Sequence, residues 1–165
     1  MDLISTFFGS AVVATTTLHL LFTGDIFLDR HIDELTQANK FQLTDKYEYP
    51  FTALKTLGKD KYDAWIGNLE CPVTERQSTK KQKDVDLRFS CKSEYLQQLS
   101  KYFDVVSLAN NHTDNMGDSG FLETKKHLDN VGIKYFGSYD HRKDEICKII
   151  EIKDPNSFLW LSGSI

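Results

Sequence analysis

A chain of 165 residues, 40% hydrophobic and 27% charged, is long enough for one globular domain with a sizeable core. Its formal net charge of −4 gives no electrostatic footprint for nucleic acid or for an anionic membrane, so no nucleic-acid partner is expected. Cys71, Cys91 and Cys147 are far apart and show no C-x-x-C spacing, which argues against a disulfide framework or a structural zinc site. Their odd number leaves at least one free thiol and leans toward a reducing compartment.

The first stretch, MDLISTFFGSAVVATTTLHLLF, is apolar but has no Lys or Arg before Arg30. It therefore lacks the positive start of a secretory signal, although Val12-Val13-Ala14 resembles a cleavage site. Too little chain precedes Leu18 for a membrane span of about 20 apolar residues. Residues 1–17 are read as a leader or disordered segment, and residues 18–165 as one domain.

Leu18 to Phe22 reads as a buried strand closed by a tight turn at Thr23-Gly24-Asp25. Ile32 to Lys40 and Pro50 to Leu57 have helical spacing, with Pro50 suited to a first turn. Tyr62 to Ile66 is a second strand, closed by Gly67-Asn68-Leu69-Glu70. The polar run RQSTKKQKDVDLR follows as a mobile loop; its lysines, Lys80, Lys81 and Lys83, read as a solvated surface, with contact to an anionic polymer as the alternative. Ser93 is placed to cap a helix from Glu94 to Lys101 that buries Tyr95, Leu96, Leu99 and Tyr102. Asp104 to Ala109 is a third strand. Asp118 or Ser119 opens a helix with Phe121, Leu128 and Val131 along one face, and Gly132 ends it. Ile133 to Phe136 is strand again. Ile146 to Ile152 and Phe158 to Leu161 form a pair joined through Asp154-Pro155-Asn156. Strands alternating with helices imply an α/β fold with a mostly parallel sheet covered by helices, bordering on α+β through the last pair.

Ligands bind at the carboxyl ends of strands in open parallel sheets. Three strands here end in polar clusters: Gly24-Asp25, Asn68-Leu69-Glu70 and Asn110-Asn111-His112. If those strands are neighbours, two carboxylates, an imidazole and several amides converge. That donor set suits one or two divalent metals: Mg or Mn through oxygen, Zn or Fe through the imidazole. It also suits metal-assisted hydrolysis. Singly, each cluster has a plainer reading, as turn chemistry, a solvated Glu or a hydrogen-bonded structural His. The combination after three successive strands carries the inference.

GDIFLDR (24–30), NLECPVT (68–74) and VVSLANNHTDNMGDSGFLETKKHLDNVGIKYFG (105–137) resemble the bacterial capsule-synthesis, poly-γ-glutamate CapA family of the calcineurin-like metallophosphoesterase superfamily. The resemblance covers the chain from about Leu18 to its end. It implies the N-terminal portion of a β-sandwich flanked by helices, with Asp25, Glu70 and Asn111 as metal ligands. His112 would be the catalytic acid or orienting donor, Arg30 a clamp for a carboxylate or phosphate, and Asn68 and Asn110 further substrate or supporting contacts. It also implies a divalent cofactor (Mn, Zn, Fe or Mg), an anionic polymer or a phosphoester or amide as substrate, other polymer-synthesis proteins as partners, and the bacterial cell envelope.

The sequence departs from the family pattern in three places. Phe27 stands where the superfamily has a histidine, as is usual for the CapA-like branch. Asn115 stands where an aspartate is expected, which removes a charge. The later histidine-bearing strands that complete the family's metal site are not matched, and His19 and His127 read as structural, while His31 lies nearer the rim. A weak metal site, low activity and a dimer through an exposed strand edge are therefore expected, and a non-catalytic polymer-binding module is the alternative.

Overall fold

The computed structural model describes residues 17–140, 147–152 and 158–163. Four strands, β1 (Leu20–Ile26), β2 (Ala64–Leu69), β3 (Val105–Ser107) and β4 (Lys134–Phe136), form one sheet in the order β1-β2-β3-β4, each neighbouring pair parallel. Between β1 and β2 lie α1 (His31–Ala38) and two 3-10 helices (Lys46–Leu57 and Lys59–Lys61). Between β2 and β3 come α2 (Lys80–Asp84), a 3-10 turn (Ser93–Tyr95) and α3 (Leu96–Leu99), and α4 (Gly117–Val131) joins β3 to β4. Two further strands, β5 (Cys147–Glu151) and β6 (Phe158–Ser162), pair antiparallel. The fold is α/β.

β2 reads Ala64-Trp65-Ile66-Gly67-Asn68-Leu69, apolar on successive residues because both faces of this central strand are covered. Trp65 and Val106 share one core with Leu96, Leu99, Phe121 and Leu128 of the helical layer. Ile66, Val105 and Phe136 point the other way, against Ile150, Leu159 and Leu161 of the β5–β6 hairpin. Helices thus cover one face and the hairpin covers the other, in place of the helical cover expected from the alternation. Full burial of side chains such as Trp65 and Leu128 contributes roughly 1.5–3 kcal/mol each. Gly67 is required where β1, β2 and the core meet, since a Cβ there would lie 2.6 Å from Ile26 Cδ1 and 2.9 Å from Phe103.

Several local expectations change. β1 does not turn at Gly24-Asp25; it runs on to Ile26, and its register with β2 slips between Phe22 and Asp25 as a bulge. Asp25 is therefore a strand residue directly opposite Asn68. The segment around Pro50 is a 3-10 helix that begins early, where the Asp45 carboxylate accepts from the Tyr47 N–H at 3.0 Å. The polar run after β2 is not a loose loop. Thr79 and Gln82 form a capping box that starts α2, and Lys83 reaches the buried Asp29. Ser93 caps no helix; its hydroxyl donates to Glu75. α4 ends at Gly132 in a left-handed conformation (φ 74°), as its position in the sequence requires.

Cys71 and Cys91 are disulfide-bonded, with Cα atoms 5.8 Å apart, which corrects the reading of the cysteine spacing as arguing against disulfides and toward a reducing compartment. Sequence spacing hid this pair, because a parallel bridge between Val73 and Cys91 brings the two stretches together only in the fold. Closing this loop contributes about 3 kcal/mol by restricting the unfolded chain. Among the described residues, no helix is long and apolar enough to cross a membrane. The segment before residue 17, His141 and the expected turn at 154–156 lie outside the described residues.

Candidate functional site at the strand ends

The sheet order places the ends of β1, β2 and β3 side by side, so the three polar clusters meet at one rim. Asn68 is its hub. Its amide donates to Asp25 Oδ1 at 2.8 Å and to Glu70 Oε2 at 2.5 Å, while its carbonyl accepts from Asn110 Nδ2 at 3.0 Å. Asn110 is buried. Its amide also donates to the Leu69 carbonyl at 2.9 Å, and its Oδ1 accepts from the His112 N–H at 3.1 Å and from the Thr113 hydroxyl at 3.0 Å. A turn that satisfies every one of these buried groups explains why an apolar strand runs into a row of amides.

His112 is held on both sides. Asn115 Oδ1 already accepts from the Phe89 N–H at 2.7 Å, so an oxygen faces the ring and Nδ1, 3.2 Å away, carries the proton. Nε2 is then the acceptor, receives the Asn111 amide at 3.2 Å, and lies 3.9 Å from Glu70 Oε1. The Asn115 amide thus fixes the tautomer of His112. The phenyl ring of Phe89 packs on the imidazole with centroids 4.5 Å apart.

Burial raises the Glu70 carboxyl above its ordinary range, and the negative charge of Asp25 raises it further, against the opposing hydrogen bond from Asn68 and the nearby His112. Two carboxylates joined through Asn68, an exposed Asn111 and an imidazole whose Nε2 is freed when the Asn111 amide turns aside fit a divalent cation by donor type. The Asn68 amide now occupies the space between the two carboxylates. A cleft of about 400 Å³ opens beside Asp25, lined by Phe27, Ile32, Tyr49 and Phe51 among others.

Of the seven residues singled out in the sequence, six lie in this network. Arg30 stands apart: its guanidinium lies over the Phe89 ring, 5.8 Å from the centroid, and 3.9 Å from Asp84. Its backbone has φ 51° and ψ −124°, a conformation that costs a non-glycine residue about 1–3 kcal/mol. Asp29, 1% exposed, holds it there by accepting from the Arg30 N–H at 2.7 Å, the Ser90 N–H at 2.9 Å and the Lys83 ammonium. Sequence reasoning missed Asp29, Phe89 and Thr113 as supports. The signal for Asp29 was present, as an acidic residue between Leu28 and Arg30 in a motif already singled out. The His31 side chain is 77% exposed and lies 3.7 Å from Glu34.

The family model for the bacterial capsule synthesis protein PGA_cap matches residues 19–161. The chain is 30% identical over 129 residues to the capsule biosynthesis protein CapA of Bacillus anthracis, covering 77% of this chain and 30% of that protein. It is 30% identical over 120 residues to the PGA biosynthesis protein CapA of Bacillus subtilis (strain 168), covering 69% of this chain and 30% of that protein. It therefore spans about a third of the length of these curated relatives. The match runs through β1, β2, β3 and α4 and includes every rim residue, and the chain belongs to the bacterial capsule synthesis PGA_cap family.

Proposed function

We propose that this chain acts in the biosynthesis of an anionic capsule polymer, with the strand-end rim as a divalent-metal hydrolase-type site for a phosphoester or amide bond. The continuous hydrogen-bonded chain Asp25–Asn68–Asn110–His112–Asn115 carries the reading, because it brings acidic, amide and imidazole groups from three strands to one place. Asp25, Glu70 and Asn111 would hold the cation, which when bound supplies Lewis-acid polarisation of a phosphoryl or carbonyl oxygen. His112, with its proton on Nδ1 and Nε2 toward the rim, would accept a proton from the attacking group and return it to the leaving atom. Asn110 and Asn68 fix the spacing of these groups. Arg30 would bind a carboxylate or phosphate farther along the polymer, beyond the Phe89 ring. The disulfide is at home in an oxidising environment, which favours the envelope side of the membrane over the cytosol.

A second reading, a polymer-binding module without turnover, is favoured by one observation: the Asn68 amide already donates to both Asp25 and Glu70, the carboxylates that would hold the cation. Turnover of bis(p-nitrophenyl) phosphate and of γ-glutamyl-p-nitroanilide with added Mn, Mg or Zn, beside polyglutamate binding with and without chelator, separates the two. Metal-dependent turnover that falls at least about 100-fold in His112→Ala supports the enzyme. Chelator-insensitive polymer binding without turnover supports the module. A folded chain that neither binds polymer nor turns over either probe contradicts both.

A further inference from the structure

Away from the rim, the chain after β2 is fastened at several points. Cys71 is bonded to Cys91, the Thr74 N–H donates to the Cys91 carbonyl at 3.2 Å, and the Val73 N–H donates to Thr124 Oγ1 on α4 at 2.8 Å. Gly120 of α4 faces this segment, and a Cβ there would stand in ordinary contact with the Thr74 methyl, 3.4 Å away. The segment therefore delivers Glu75 to a fixed point on α4, where the Glu75 N–H donates to Glu123 Oε1 at 2.8 Å. One turn farther along the same helix face, His127 Nε2 lies 3.6 Å from Glu123 Oε1 and 3.6 Å from Glu75 Oε1. Among the described residues, these form the one group of three His, Cys, Asp or Glu side chains whose ligand atoms all lie within 4.8 Å of one another.

We propose that Glu75, Glu123 and His127 form a second divalent-cation site, selective for zinc-like ions. Donors around a tetrahedral zinc with bonds of 2.0–2.1 Å stand about 3.3 Å apart, so the imidazole needs to approach each carboxylate by only a few tenths of an ångström. An imidazole with two carboxylates disfavours magnesium and calcium, which prefer all-oxygen shells. The gradation of exposure, 19% for His127, 32% for Glu123 and 75% for Glu75, gives a site sheltered at the helix and open at the loop, with room for a water as fourth ligand. The bound ion would cross-link the segment after β2 to α4, joining two elements that flank the sheet. The ordinary ion-pair network makes a different demand: it needs no metal and gives no metal-dependent stabilisation.

The test is zinc titration of the full chain, disulfide intact, in an Asp25→Asn/Glu70→Gln background that removes the rim carboxylates. One bound equivalent and a zinc-dependent rise in melting temperature are expected. Adding His127→Ala lowers the affinity at least about 10-fold and abolishes the rise. Glu75→Gln, at an exposed side chain that no core contact needs, gives the same result should His127→Ala fail to fold. A natively folded background variant that binds no zinc, or undiminished binding in Glu75→Gln and His127→Ala, would overturn the proposal.

Discussion

The rim and the α4 cluster contain the same groups, two carboxylates and an imidazole, and arrange them in opposite ways. At the rim the Asn68 amide is inserted between Asp25 and Glu70, and the imidazole is turned by Asn115 and Asn111. At the cluster no side-chain amide separates the described ligands, and the three face one another across α4 and the segment after β2. Amides that hold donors apart leave room for a substrate between them, whereas donors that converge leave room for an ion alone. The difference also extends to the scaffold. The rim rests on buried polar residues, Asn110, Thr113 and Asp29, while the cluster rests on backbone contacts and one helix face.

This difference should appear first in stability. Asp29→Ala strands the mostly buried Lys83 and two backbone donors, and should cost about 3–5 kcal/mol in denaturant unfolding, with Arg30 released from its strained conformation. Zinc affinity at the α4 cluster should survive that change. Cys71→Ser with Cys91→Ser should cost about 3 kcal/mol and weaken both regions, because the 71–91 loop carries partners of each. Asn110→Ala should cost about 1–3 kcal/mol and loosen His112, visible as new exchange broadening of its imidazole signals, with the cluster unaffected.

The smallest effects are those of pH. The Glu70 carboxyl is raised in the folded chain, so its contribution favours folding below the ordinary glutamate value of 4.5 and is lost as pH rises through the raised value. Glu70→Gln should therefore melt slightly higher than the parent at neutral pH, and under the proposed function should bind metal less well. Asp33 behaves in the opposite sense. Burial raises its carboxyl, but hydrogen bonds from Lys92, Gln37 and Tyr95 outweigh that and hold it low. Its contribution is present above the ordinary value of 3.8 and disappears as pH falls through the lowered one, so the deficit of Asp33→Asn at neutral pH should shrink in acid melts.

Much of this architecture was legible because parallel strands buried on both faces write continuous apolar runs. β3 and β4, and α4 with its terminal Gly132, stand close to where periodicity puts them, whereas β2 starts later than expected, at Ala64, and runs through the expected turn to Leu69. The rim was legible for the same reason: residues at strand ends are placed once the strands are. The bulge in β1 was not, since Gly24-Asp25 carries identical turn chemistry whether the chain reverses or continues to Ile26. Nor was the disulfide, which depends on a bridge between chain segments that no local pattern records. The α4 cluster was half visible. Glu123 and His127 are four apart on a helix, but Glu75 arrives from another element through backbone hydrogen bonds that composition does not encode.

Diffraction at the manganese absorption edge, from crystals soaked in Mn²⁺, tests the rim most directly. An anomalous peak enclosed by Asp25, Glu70, Asn111 and His112, absent in Asp25→Asn, is the expected result. A rim that stays empty in natively folded crystals soaked to saturation would contradict the rim as a metal site and leave the amide network as a binding surface only.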